Sequence, residues 1–341
     1  MADMTPRELV RAALRHEETE RLPYNFMLSP PALHKLQERL GLDEREAEAW
    51  IGSCLFIYGC RDKPLYASPD QYGPTITDQW GVVWATSRVD RGYPAIHPLA
   101  QPSLLDYAWP DPLEPGRWNG VERSAAKHSD FYRLAVVGDL WERANFLRGL
   151  DHLLLDLYEH PRFVHDLLDG IAQYNLATLR RIVTLKPDAV FLSDDYGLQR
   201  SLMMSPRDWR EFIKPRLKLL FDEARAAGCS IMLHSCGNVA EIIPDLIELG
   251  LDILHPIQPE AMDGRALKRE FGRDLTFCGG LNTQQLLPGG TPEEIRVEVR
   301  RLGDELGRAG GYILEPGITV QADVPVENLL AAIAAAREYR R

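Results

Sequence analysis

The chain has 341 residues, 45% hydrophobic and 26% charged, enough apolar sequence for one large core or two ordinary ones. Its formal net charge of -11 argues against a general binder of nucleic acid or anionic membranes, which would be repelled at long range, and leaves a small molecule as the expected partner. The five cysteines (Cys54, Cys60, Cys229, Cys236, Cys278) are odd in number and widely spread. With no apolar signal core in 5–21 and no uncharged run near the ~18 residues of a membrane span, a reduced, cytoplasmic protein is expected.

In chain order, short apolar runs at 22–26 and 54–58 read as strands. The segment 62–130 is different: it is rich in Pro, Gly, Trp and Tyr, and 79–84 alternates like a small hairpin, which predicts an insertion beside the mouth of the fold. Trp109, Trp118 and Tyr132, taken as exposed, suggest a homodimer. Strand-like runs then follow at 134–137, 189–192, 230–233, 253–254, 275–277 and 312–314, separated by amphipathic stretches such as 161–185, 206–227, 239–249 and 291–309. Thr291, Pro292 and Glu294 form an N-cap, an N1 proline and a capping-box acid. The cations Arg207, Arg210, Lys214, Arg216 and Lys218 read as a solvated helix face. Eight strands with helices between the later ones, and no Gly-x-Gly-x-x-Gly after any strand, predict an α/β fold. The architecture expected is a single (β/α)8 TIM barrel spanning residues 1–341.

In such a barrel the chemistry sits at the carboxyl ends of the strands, where the loops converge. The run 189–192 leads into Ser193-Asp194-Asp195, 230–233 into His234-Ser235-Cys236, and 253–254 into His255-Pro256-Ile257-Gln258. The next two lead into Cys278-Gly279-Gly280-Leu281-Asn282 and Glu315-Pro316-Gly317, so five successive strands deliver polar groups to one rim. His234 and Cys236, two apart in extended chain, point to the same side, and nitrogen with sulfur suits zinc. A histidine bonded to Asp195 beside an inert cysteine fits the same residues.

The stretches Pro23-Tyr24-Asn25, Asp194-Asp195-x-Gly197-x-Gln199, Ser205-Pro206-x-x-Trp209-Arg210-x-Phe212-x-x-Pro215, His234-Ser235-Cys236-Gly237-Asn238, Phe277-x-Gly279-Gly280 and Pro325-x-Glu327-Asn328 together resemble the uroporphyrinogen decarboxylase superfamily, from Pro6 to Tyr339. The resemblance implies a (β/α)8 barrel. It also implies one of the family's chemistries: metal-free porphyrinogen decarboxylation, O-demethylation, or zinc-dependent transfer of a methyl group from a methylated corrinoid protein to a thiol.

Two departures narrow this. The decarboxylases carry an arginine-rich segment after the first strand, whereas here no arginine stands between Arg21 and Arg39, which disfavours an octacarboxylate substrate. The methyltransferases place a late cysteine where this chain has Ile318, so Cys278, Asp195 or Glu315 would have to complete a metal site. The expectation is a zinc-dependent methyltransferase with metal ligands His234, Cys236 and Cys278 and catalytic residues Asp195, His234 and Glu315. Tyr24, Asn25, Gln199, Gln258 and Asn282 would line the substrate pocket, with a methylcorrinoid as co-substrate and a corrinoid protein as partner. The alternatives are a metal-independent decarboxylase, with His234 as proton donor, and a ligand-binding barrel without catalysis.

Overall fold

The protein, described here by a computed structural model, is defined over residues 4–60, 63–89 and 91–341. Strand β1 (Leu55–Gly59) is followed by three short strands, β2 (Thr75–Thr77), β3 (Val83–Ala85) and β4 (Tyr93–Ile96). Six more come after them: β5 (Tyr132–Gly138), β6 (Ala189–Ser193), β7 (Ser230–His234), β8 (Ile253–Ile257), β9 (Thr276–Leu281) and β10 (Tyr312–Pro316). Of these ten strands among the described residues, seven form one parallel sheet in the order β1-β5-β6-β7-β8-β9-β10. The eighth predicted strand, 22–26, is present only as an isolated parallel bridge between Tyr24 and Leu314. It nevertheless joins the two edges of the sheet. Leu314 N–H donates to Pro23 O at 2.9 Å, Asn25 N–H to Leu314 O at 2.9 Å, and Cys54 N–H to Tyr24 O at 2.8 Å. Pro23 has no N–H to give, so the ladder cannot run on through it.

Strand alternation places the core. Leu134, Phe191, Met232, Ile253, Cys278 and Ile313 face the lumen in one cluster, closed by Leu9 and Val10 of the helix Pro6–Leu14. Their neighbours Ala135, Val190, Ile231, Leu254, Phe277 and Leu314 face outward, in the cluster shared with the helices. The same parity carries towards the carboxyl ends: two residues beyond Met232, Ile253 and Ile313 stand His234, His255 and Glu315.

The predicted helices are found with local breaks. Stretch 161–185 is the helix Pro161–Ile182 with a 3-10 turn, Val183–Leu185. Stretch 206–227 is interrupted by a π-helical turn, Trp209–Ile213, just before Pro215, whose missing N–H removes a rung of the α ladder. Thr291 caps Pro292–Leu306 through the capping box with Glu294. The basic run differs from a freely solvated face: Arg210 and Lys214 clasp Asp245, Arg216 pairs with Asp169 and Lys218 with Asp222.

Between β1 and β5 the chain carries short helices and a three-stranded antiparallel sheet, β2-β3-β4. Of the expected hairpin 79–84, only Val83 and Trp84 are in strand, because Asp78 turns the chain instead: its Oδ1 accepts Trp80 and Val82 N–H and its Oδ2 the Trp84 indole N–H. Trp80 packs on Tyr174 (centroids 4.3 Å) and Trp84 on Phe146 (5.0 Å), fixing the sheet to barrel helices. Later residues of the same segment, Arg117 and Asn119 among them, wall a cavity of about 650 Å³ with the end of β1. The expected boundary at Asp62 lies outside the described residues. Trp118 and Tyr132 are buried, at 5% and 2% exposure, so of the three aromatics behind the homodimer expectation only Trp109 is open. Among the described residues no helix is long and apolar enough to cross a membrane.

Candidate active site

His234 ends β7 directly between Ser193 of β6 and His255 of β8. Its Nε2 lies 3.4 Å from Cys236 Sγ and 3.3 Å from Asp195 Oδ1, and that oxygen accepts the Cys236 backbone N–H at 2.8 Å. The loops that carry these groups are pressed together. A Cβ on Gly197 would stand 2.6 Å from Cys236 O, and Gly237 sits at φ +78, so both positions require glycine. Asp195, His234 and Cys236 thus form one group of nitrogen, sulfur and oxygen donors, partly open to solvent.

Burial opposes charge on both Asp195 and His234, yet it is overcome in each case. The hydrogen bond and charge of His234, the Cys236 N–H and the cation of Lys63 hold the Asp195 carboxyl well below its usual range. The Cys236 sulfur and the Asp195 carboxylate raise His234 well above the usual imidazole value.

A second group lies deeper, on β8, β9 and β10. His234 Nδ1 and His255 Nδ1 are 2.9 Å apart, so one of them donates to the other. His255 Nε2 then faces Glu315 Oε2 at 3.5 Å, Cys278 Sγ donates to the same oxygen at 3.0 Å, and Asn25 donates to Glu315 Oε1 at 2.6 Å. Here burial wins. Glu315 is pushed up to about 7 by burial, Cys278 is raised well above a thiol's ordinary value by burial and by Glu315, and His255 is lowered well below its own by burial and by the charge of His234. Burial thus opposes charge on both sides of the His255–Glu315 contact.

Of the predicted site residues, Asp195, His234 and Cys236 converge as expected, while the structure groups Cys278 with His255 and Glu315 instead of with the His234–Cys236 pair. Asn25 reaches Glu315. The other expected pocket residues bond to the chain's own backbone: Tyr24 O–H donates to Ile51 O, Gln199 Nε2 to Glu260 O, Gln258 Oε1 accepts Gly237 N–H, and Asn282 Oδ1 accepts the N–H of Gln285 and Leu286. Three further residues, given no role from the sequence, belong to the site. His255 is directly opposite His234, which strand alternation could have revealed. Asp194, buried, accepts the N–H groups of Leu140, Trp141 and Glu142 and so anchors the start of the helix Trp141–Arg148. Lys63, held 2.7 Å from Asp139 and paired with Glu142, supplies positive charge near Asp195.

Residues 137–339 match the family model described as uroporphyrinogen decarboxylase (URO-D). A methylated-thiol--coenzyme M methyltransferase of Methanosarcina mazei is 22% identical over 260 residues, covering 74% of this chain and 68% of that protein. A methylcobamide:CoM methyltransferase of Methanosarcina barkeri is 27% identical over 54% of this chain and 50% of that protein. A uroporphyrinogen decarboxylase of Carboxydothermus hydrogenoformans is 25% identical over 50% and 47%. The chain thus spans about half the length of the last two. Among solved structures, a methyltransferase from Methanosarcina mazei superposes with a TM-score of 0.75 at 18% identity over 99% of both chains, a likeness of fold.

Proposed function

From a chain that belongs to the uroporphyrinogen decarboxylase family and gathers histidine, cysteine and aspartate donors at its barrel mouth, we propose a zinc-dependent methyltransferase that moves a methyl group from a corrinoid donor to a thiol. The donor set at the mouth carries this reading. Zinc bonds of about 2.0–2.3 Å to nitrogen, oxygen and sulfur put tetrahedral neighbours roughly 3.3–3.7 Å apart. The 3.4 Å and 3.3 Å separations around His234 Nε2 fit that spacing, so His234, Cys236 and Asp195 would hold the ion. Bound there, zinc would keep the acceptor thiol as thiolate at neutral pH.

The chain's own groups do the positioning. His255 fixes the imidazole of His234 through Nδ1, leaving Nε2 for the mouth, and the Cys236 N–H fixes Asp195. In the transfer the sulfur's electron pair forms the S–CH3 bond, the cobalt–carbon bond breaks with its pair left on the donor, and the thiol proton goes to solvent. The physiological donor would be a corrinoid protein, consistent with the methylcobamide named for one relative.

A second reading, metal-independent decarboxylation, is favoured by the raised pKa of His234, which would make it a proton donor to a carbanion. The lack of arginine between Arg21 and Arg39 leaves a polycarboxylate without counter-charges.

Methylcobalamin and coenzyme M with the zinc-loaded protein provide the test, followed by the visible spectrum of the corrinoid. Transfer should fall to background in Cys236→Ser while circular dichroism stays unchanged, and chelation should abolish it until zinc is restored. Transfer undiminished by Cys236→Ser overturns the reading. Release of carbon dioxide from a carboxylated substrate by chelated protein would put decarboxylation in its place.

A further inference from the structure

Resting on the reading of His234 as a zinc ligand, we propose that Glu315 is a positioning residue which, acting through His255, decides which ring nitrogen of His234 carries the proton. The contact between the two imidazoles does not decide it alone. His234 Nδ1 and His255 Nδ1 are 2.9 Å apart and share one proton, which either ring could own. If His255 owned it, a neutral His234 would carry its own proton on Nε2, the atom 3.4 Å from Cys236 Sγ, and offer the mouth no lone pair. For Nε2 to bind an ion, His234 must donate from Nδ1 and His255 must keep its proton on Nε2.

Glu315 breaks the tie at the far end of His255. His255 Nε2 is buried and faces Glu315 Oε2 at 3.5 Å, and among the described residues it has no shorter hydrogen bond. A buried N–H left without an acceptor is costly, so a proton on Nε2 is favoured by the carboxyl oxygen it faces. The other contacts of Glu315 make it an acceptor. Cys278 Sγ–H donates to Oε2 at 3.0 Å and Asn25 Nδ2–H to Oε1 at 2.6 Å, and Asn25 is itself fixed by its backbone N–H to Leu314 O.

The rings in between are held in place. Phe191 makes edge-to-face contacts with both, its centroid 6.3 Å from that of His234 and 6.0 Å from that of His255, and the two imidazoles meet tilted by 46° with centroids 4.9 Å apart. Donation therefore runs in one direction, from His234 Nδ1–H to His255 Nδ1 and from His255 Nε2–H to Glu315 Oε2. The bare nitrogen is left at the mouth, beside Asp195 and Cys236. The same proton on His255 Nε2 closes the interior cluster to an ion of its own.

Full-length protein with ¹⁵N-labelled histidines tests this, through ¹⁵N–¹H spectra of the rings and zinc affinity read by competition with a chromophoric chelator. In zinc-loaded wild type, His234 should be protonated on Nδ1 and His255 on Nε2. Glu315→Met keeps the bulk but removes the acceptor, so zinc should bind roughly 10- to 100-fold more weakly. In the chelated form of this variant the His255 proton should move to Nδ1. Glu315→Gln keeps an acceptor oxygen and should bind zinc nearly as tightly as wild type, a rescue that a role in packing alone would not require. Zinc affinity unchanged in folded Glu315→Met overturns the proposal. So does a His255 proton on Nδ1 in zinc-loaded wild type, which is decisive even if Glu315→Met unfolds. Failure of the zinc reading itself would look different, as wild type taking up no zinc or Cys236→Ser losing none.

Discussion

The two groups of histidine, cysteine and carboxylate contain the same kinds of side chain at different depths. At the mouth, His234 and Asp195 have side chains 18% and 31% exposed, and backbone N–H donation with nearby charge keeps the carboxylate ionised. In the interior, His255 and Glu315 are 1% and 2% exposed, and burial outweighs the hydrogen bonds and nearby charges, opposing charge on both groups. Depth and partners, rather than residue type, set the charge state. The mouth group suits a reacting thiol that must enter and leave, while the interior group braces the ring of His234 from behind.

The largest effect that would sharpen this contrast is on stability. In chelated protein, the Glu315 pKa of about 7 lies above its ordinary 4.5, so the folded state holds the proton more tightly than the unfolded chain does. Its contribution is full below pH 4.5 and is lost as pH rises through about 7, a change on the order of 3 kcal/mol. Glu315→Gln, neutral throughout, should be free of this loss, so its melting temperature should rise relative to wild type between pH 4.5 and 7. Parallel pH profiles for the two proteins would erase the distinction between the groups.

At the mouth, Asp195→Asn removes the charge but keeps the shape. Zinc affinity should fall roughly 10- to 100-fold, measured by competition with a chromophoric chelator. Unchanged affinity would leave His234 and Cys236 without their carboxylate partner. The smallest effect is a control outside both groups. Thr291→Ala, which uncaps the helix Pro292–Leu306 behind β9 and β10, should cost about 1 kcal/mol in denaturant unfolding and leave the zinc content of the mouth group unchanged.

Much of the barrel was legible in the sequence. The runs ending at Asp195, His234, Cys278 and Glu315 were found within a few residues of their strands, and the capping box at Thr291 was read directly. The first predicted strand was legible as extended chain but not as a bridge, because Pro23 breaks the ladder. The substrate-lining expectation fared differently. Tyr24, Gln258 and Asn282 are polar residues near strand ends, and nothing in their identity revealed that backbone groups of Ile51, Gly237 and Gln285 would engage them.

The sequence by itself determined which residues are extended, which face of each strand is apolar, and which polar groups follow at the carboxyl ends, because alternation and capping act over two to four neighbouring residues. Tertiary structure alone decided how those groups divide. The register of β7 against β8 sets His234 opposite His255, and that of β9 against β10 sets Ile313 opposite Cys278 with Glu315 two residues further on. Register depends on packing between strands far apart in the chain, so Cys278 joined the buried group and Asp195 the open one, and burial in the first case and hydrogen-bonding partners in the second then set which proton state is favoured.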